Sequence, residues 1–394
     1  MSKADSSSGS LTVSVLRGLG EVAAAVWDAI AGPDDPFAEH AFLDLLERSG
    51  SVGPGTGWMP RHVVVRRDGV LIGAVAAYRK DDSWGEFVFD FHWARAAAQA
   101  QIRYFPKLVA MAPFTPATGR RLLVAPGEDR AAIVAALVRG LHEAADELGA
   151  SSIHALYLNE EERAEMLSAP GFMPRLSVQF HFLNEGYRSF DDLLARMRSP
   201  ARKQIRRERR EVAESGLRVE VKEGPTLDDR DWHALEIFYR LNAARHGAFG
   251  YLTPEFFPLL RARFAHRVVA VLAYDGAEPI AGSLNFEKGD VLYGRYWGTS
   301  EDVEFLHFEC CYHRLIERAI EKGHRRVEAG AQGLHKIKRG LLPSDVHSAH
   351  WIRDPRLRRA IAEFLPEEAR AVRAEAAELA GSGPFRRDGD GPER

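Results

Sequence analysis

One local pattern occurs twice in this chain, once in each half. Residues 61–80 read RHVVVRRDGVLIGAVAAYRK, and residues 267–288 read RVVAVLAYDGAEPIAGSLNFEK. Each is a β-branched run, an Asp-Gly pair and a second apolar run that ends at a lysine. Asp-Gly supplies the φ > 0 positions that a tight hairpin turn requires, so each segment predicts two antiparallel strands. A second match follows. Ile133, Leu137 and Leu141, with Val134, Val138, Ala145 and Leu148, have helical spacing behind Asp129, a residue suited to an N-cap. Phe308, Tyr312, Leu315, Ile316, Ala319 and Ile320 form the equivalent stripe in the second half. Each helix is followed by a glycine, Gly149 or Gly323, placed for a C-cap, and then by a strand. Hairpin, further strand, long helix and strand thus appear in the same order twice.

That order is the core of a GNAT (N-acetyltransferase-like) fold: an antiparallel meander, a crossover helix and a parallel strand. The first half closes as this fold does, with a helix, Gly171-Phe172 and a strand over Leu176 to Phe182. The predicted fold class is mixed α+β, with tandem GNAT-like domains, each a mostly antiparallel sheet flanked by helices. The 394 residues suit two domains. The expected boundaries are a disordered N-terminus at 1–10, a first half at 11–190, a basic helical connector at 191–225, a second half at 226–375 and a flexible tail at 376–394.

Composition narrows the function classes. The formal net charge of −3 gives no global sign of a nucleic-acid or membrane-surface protein, so any anion site is local. The two cysteines, Cys310 and Cys311, are adjacent, where a structural disulfide is strained, and no zinc-ligand spacing is present. No metal site is expected. The N-terminus lacks a signal-peptide pattern, and no apolar run approaches a membrane span. These features predict a reduced, cytoplasmic protein.

Several separated segments carry a resemblance. DPFAEHAFLDLLERSGSVGPGTGW (35–58), YFPKLVAMAPFTPATGRRLL (104–123), ARKQIRRERR (201–210) and YGRYWG…LHFECCY…EAGAQGLHKIKRG (293–340) are similar to the FemAB-like peptidoglycan biosynthesis/recognition family of the GNAT superfamily. The resemblance covers most of residues 35–365. It implies tandem GNAT halves like those of Fem-type ligases, which move an amino acid from aminoacyl-tRNA to a peptidoglycan precursor. Ordinary GNAT enzymes move an acetyl group from acetyl-CoA to an amine. Where the family usually has Gly-Glu-His-Lys, this chain has Gly333-Leu334-His335-Lys336.

Acyl transfer to an amine needs a proton acceptor, a polarised carbonyl and a fixed donor. The GNAT donor position, between a strand and the crossover helix, reads LLVAPGEDRAA (122–132) in the first half. In the second half it reads RYWGTSEDVEFLHFE (295–309). Each holds one glycine and several acids, which disfavour a diphosphate. The second half is the most chemically loaded. Glu309 and His307 are candidate bases there, and His335 stands beside Lys336, which can polarise a carbonyl or hold a phosphate. Fem-type ligases carry a lysine near this C-terminal strand; Lys336 matches it and Lys338 is an equally placed alternative. Arg295, Tyr296, Trp297, Gln332 and Arg339 are expected to bind substrate, as are Arg202, Lys203 and Arg206 of the basic run. Asp90 and Lys107, in an aromatic-rich segment of the first half, are expected to line an acceptor cleft.

The functional expectation is transfer of an acyl or aminoacyl group to an amine acceptor, a small molecule or a peptidoglycan precursor. No tightly bound cofactor is expected. The donor is acetyl-CoA or aminoacyl-tRNA as co-substrate, which makes tRNA a candidate partner. The alternatives are an acetyl-CoA-dependent N-acetyltransferase and a non-catalytic recognition protein.

Overall fold

The computed structural model describes residues 9–245, 250–330 and 333–386. They form two compact units. The first holds the chain up to Pro113, Thr118–Arg175 and His347–Leu365; the second holds Phe114–Ala117, Leu176–Val346 and the chain from Pro366.

In the first unit the elements run β1 (Leu11–Leu16), α1 (Ala24–Ala31), α2 (His40–Arg48), β2 (Trp58–Pro60), β3 (His62–Arg67), β4 (Val70–Val75), β5 (Ala77–Lys80) and α3 (Phe91–Gln99). Then come β6 (Lys107–Ala110), β7 (Leu123–Val124), α4 (Arg130–Glu147), β8 (Ser152–Leu158) and α5 (Glu160–Ser168). Asp68 and Gly69 both take positive φ, 49° and 84°, and turn β3 into β4. The run after that turn is two strands rather than one. It breaks at Ala76: β4 joins the sheet β1-β3-β4-β7, whereas β5 pairs with β2 and β6. The apolar run is continuous across the break, so only partners distant in sequence decide where the chain bends. Asp129 caps α4 by accepting from the Ala132 amide. The buried stripe of α4 packs with Val63 and Val65 in one core.

In the second unit the order is β9 (Met173–Leu183), α6 (Phe190–Arg196), α7 (Ser199–Glu214), β10 (Arg218–Glu223), α8 (Asp229–Arg245), α9 (Phe256–Phe264), β11 (Val268–Asp275), β12 (Glu278–Lys288) and β13 (Val291–Thr299). A continuous helix follows as α10 (Leu306–Phe308), a π turn (Glu309–His313) and α11 (Arg314–Lys322). β14 (Arg326–Glu328), a 3-10 helix (Leu334–Arg339), β15 (Leu342–Ile352) and α12 (Pro355–Gly381) follow; β15 from His347 and α12 up to Leu365 belong to the first unit. The strands pair in the order β10-β11-β12-β13-β14-β9, and the β13–β14 pair is parallel. Gly323 ends α11 with φ 71°. The core gathers the apolar stripe of α11, Leu315, Ile316, Ala319 and Ile320, and the inner face of the meander.

The boundaries differ from the expected ones: the first unit stops at Arg175 rather than 190, yields Phe114–Ala117 to the second and takes His347–Leu365 from the expected second half. The basic segment is not a connector: α7 belongs to the second unit, because Ile205 and Val212 bury its apolar stripe in that core. Nor is 376–394 wholly a tail. α12 runs to Gly381, and Phe385 bridges to Met197. The expectations for residues 1–8 and 387–394 lie outside the described residues.

Candidate functional site

The parallel pair β13–β14 is only three residues long: Val291 meets Arg326, Leu292 meets Val327 and Tyr293 meets Glu328. From Gly294 onward β13 stays with β12 and leaves β14. The chain after β14 turns away through Ala329 and Gly330. A cavity of about 600 Å³ opens at the divergence. Its lining includes Gly294, Arg295, Tyr296 and Trp297 on one side and Ala329, Gly333, His335 and Lys336 on the other. His307, Cys311 and Tyr312 of the crossover helix close it, with Asn242 of α8 and Ser283 and Asn285 of β12.

Local irregularities aim these side chains. A bulge between Leu284 and Asn285 pairs them with Tyr296 and Gly294, which leaves Arg295 as the extra residue on β13. Its guanidinium donates to the Phe114 carbonyl, and its Nε is buried without a hydrogen-bond partner. The π turn inserts one residue into the helix at Glu309–His313, which rotates the positions after Phe308 relative to a regular helix. Cys311 and Tyr312 therefore reach the cavity, while Glu309 does not line it.

Lys336 is buried, and its ammonium donates to the carbonyl oxygens of Ala329 and Gly330. Among the described residues no carboxylate pairs with it. Burial lowers its pKa to about 8. His307 lies against Trp297, Tyr312 and His335 and makes no hydrogen bond among the described residues. Burial, and then the charges near it, push its pKa down to about 4, so its imidazole is neutral at pH 7. His335 is also lowered, first by burial and then by Arg339 and Lys336, and its Nε2 lies 2.9 Å from the Tyr312 hydroxyl.

The sequence-predicted residues are thus distributed. Lys336, His307, His335, Arg295, Tyr296 and Trp297 meet at the cavity. Glu309 sits apart, its carboxylate held by Arg314 at 2.8 Å and Arg209 at 3.3 Å. Lys338 is exposed and lines a second cavity, since the 3-10 helix carries it to another side from Lys336. Arg339 is buried and pairs with Glu208, its Nε at 3.0 Å. Arg202 donates to the Met197 carbonyl, and Arg206 lies near Asp191 at 3.5 Å. Lys203 is exposed on α7. Asp90 and Lys107 belong to the first unit and are buried there. The Lys107 ammonium reaches Asp90 at 2.6 Å, Glu86 at 2.9 Å and Ser83 at 2.9 Å. Three internal partners fill its donor capacity, so a cleft role for this pair is not what its surroundings offer. Gln332 lies outside the described residues. Sequence reasoning missed Ser283, Asn285, Tyr312 and Asn242. Tyr312 was read as core from its spacing, and the bulge beside Asn285, which lines the cavity though buried, leaves no sequence mark.

Comparison with known proteins identifies the family. A family model, FemAB_like, described as peptidoglycan biosynthesis/recognition, matches residues 18–387. The chain belongs to this family. Among solved structures, this FemAB_like chain is similar to FemX, at 14% identity and TM-score 0.51, over 86% of this chain and 98% of that one. It is also similar to a conserved protein of unknown function from Bacteroides thetaiotaomicron VPI-5482, at 10% identity and TM-score 0.52, over 86% and 99%. At such identities these likenesses speak to the fold: a tandem GNAT-like arrangement of two mixed α+β units. No curated protein matches the chain. Among the described residues of this FemAB_like protein, no group of three or more His, Cys, Asp or Glu could hold a metal ion, and no helix is long and apolar enough to cross a membrane.

Proposed function

We propose that the chain transfers an acyl or aminoacyl group to an amine, with the reacting carbonyl in the cavity where β13 leaves β14. The observation that carries this reading is Lys336: a buried ammonium held by two carbonyl oxygens, at the divergence of a parallel strand pair. An ammonium there donates to the carbonyl oxygen as negative charge develops on it. The free neutral imidazole of His307 accepts a proton from the attacking amine. The new N–C bond forms as the bond from carbonyl carbon to donor oxygen or sulfur breaks. The proton then passes from His307 to the leaving group.

The donor is read as an aminoacyl ester ahead of acetyl-CoA. The chain entering the crossover helix carries exposed Glu301, Asp302 and Glu304, which disfavour a diphosphate at that position. The acceptor is read as a peptidoglycan precursor, in keeping with the family's description. Incubation of the chain with that precursor and either aminoacyl-tRNA or acetyl-CoA, followed by product mass, tests it. A product of one acyl addition, reduced about 100-fold or more in K336A, is expected. Absence of product with both donors, alongside tight binding of the precursor, would show a recognition protein instead.

A further inference from the structure

A second and larger cavity, about 900 Å³, adjoins the first in the second unit and shares His335 with it. The first turns of α7 provide Pro200, Ala201 and Gln204. The 3-10 helix provides Leu334, Lys338 and Arg339, with Arg198, Glu208, Phe308, Ser382 and Pro384 around them. We propose that this cavity binds the nucleotide end of the acyl donor, with its phosphate on Lys338 and Arg198 and its base on Leu334 and Phe308. This inference rests on the transfer reading, because a donor whose carbonyl reaches Lys336 passes His335 into this space.

Three observations carry it. The first is charge. Arg198, Lys338 and Arg339 face one carboxylate, Glu208, whose oxygens are already engaged by Arg339, His313 and Gln204. Lys338 has no hydrogen-bond or ion-pair partner among the described residues, so its full charge is open to a ligand. The second is shape and polarity. Leu334 is 62% exposed, a large apolar side chain displayed next to cations, and Phe308, with the Arg339 guanidinium over one face of its ring at 3.3 Å, lines the same space. A nucleotide matches that mixture of one anionic and one planar apolar part, and the volume suits one. The third is contrast. The approach to the crossover helix, where a GNAT donor's diphosphate is expected, is acidic, whereas this cavity is cationic.

Calorimetric titration of the full chain with ADP tests the site. Saturable one-site binding is expected. K338A, and L334E, which adds a carboxylate to the wall, should each weaken it about tenfold or more. Both residues are exposed, so the variants should keep the wild-type melting temperature. R210A removes the same charge from an exposed position on α7 outside the cavity and should leave ADP affinity within about twofold. Displacement of ADP by coenzyme A supports the site and names a thioester donor. Displacement by a short RNA but not by coenzyme A supports it and names a ribose ester. No saturable ADP binding by the wild type, or equal weakening in R210A and K338A, overturns the proposal. ADP binding by a wild type that shows no transfer activity keeps the nucleotide site and sinks the transfer reading.

Discussion

The ammonium of Lys336 donates to the carbonyl oxygens of Ala329 and Gly330, the two residues through which the chain leaves the parallel pair β13–β14. Carbonyl partners hold the group in place without a compensating negative charge, and burial lowers its pKa to about 8. The charged form is therefore full below that value and lost above it. If the ammonium stabilises the oxyanion, kcat/KM should fall as pH rises through about 8. K336R, which stays charged, should move that limb to higher pH, and K336A should lose about 100-fold or more in turnover. A wild-type profile that rises through pH 8 would instead make the neutral amine the active form.

Glu208 anchors the wall between α7 and the 3-10 helix. Its buried carboxylate accepts from Arg339, from His313 at 3.0 Å and from the half-buried Gln204 at 3.0 Å. Burial alone would raise its pKa, but the hydrogen bonds from His313, Gln204 and Arg339 prevail and hold it at about 2. A depressed carboxylate contributes stability that is present above its unfolded pKa and lost as pH falls through the folded one. Acid unfolding should therefore draw on this group between pH 4.5 and about 2. E208A leaves Arg339 buried without its partner and should cost about 3–5 kcal/mol in urea denaturation. A loss below about 1 kcal/mol would show that the pair adds little.

The parts of this molecule fixed by neighbours in sequence could be read from sequence. The Asp68-Gly69 and Asp275-Gly276 turns, the Asp129 cap and the Gly323 terminus depend on residues a few positions apart, and each stands where the pattern put it. Lys336, His307, His335 and the Arg295–Trp297 run were also legible, because strand order alone brings the end of β13 and the chain after β14 together. Glu309 was not. It lies two residues beyond His307, which a 3.6-residue period sets about 200° around the helix, and there Arg209 and Arg314 hold its carboxylate. Lys107 was not legible either, since the aromatic surroundings that suggest a cleft are equally those of a core.

The first unit offers a contrast in pH dependence. Glu86 is buried beside Lys107 and Asp90, and burial raises its pKa to about 7 against the pull of Lys107. A raised carboxylate gives stability that is present below its unfolded pKa and lost as pH rises through the folded one. Stability should decline from pH 4.5 to about 7 on this account, and E86Q should flatten that slope in chemical denaturation. K107A strips both carboxylates of their cation and should cost about 3–5 kcal/mol. An unchanged melting temperature in K107A would return Asp90 and Lys107 to consideration as acceptor ligands.

Gly298 ties the cavity wall to α8. A Cβ at this position would lie 1.9 Å from the Phe238 carbonyl oxygen and 2.4 Å from its carbon. Those atoms are helix backbone and cannot swing aside as a side chain would. G298A must therefore move β13 away from α8 or disturb its pairing with Gly282 on β12. Either shift carries Trp297 and Tyr296, which line the cavity, and loosens the Tyr239–Tyr296 ring contact at 5.2 Å. The expected loss is about 1–3 kcal/mol of stability, from overpacking. Turnover should fall more than the stability loss accounts for, because the reacting carbonyl needs its walls in place. G276A provides the control. It sits in an open hairpin turn with φ 57°, so it should cost about 1 kcal/mol and leave turnover of the folded protein intact. Equal effects of the two variants on turnover would mean that the close approach of β13 to α8 does not shape the site.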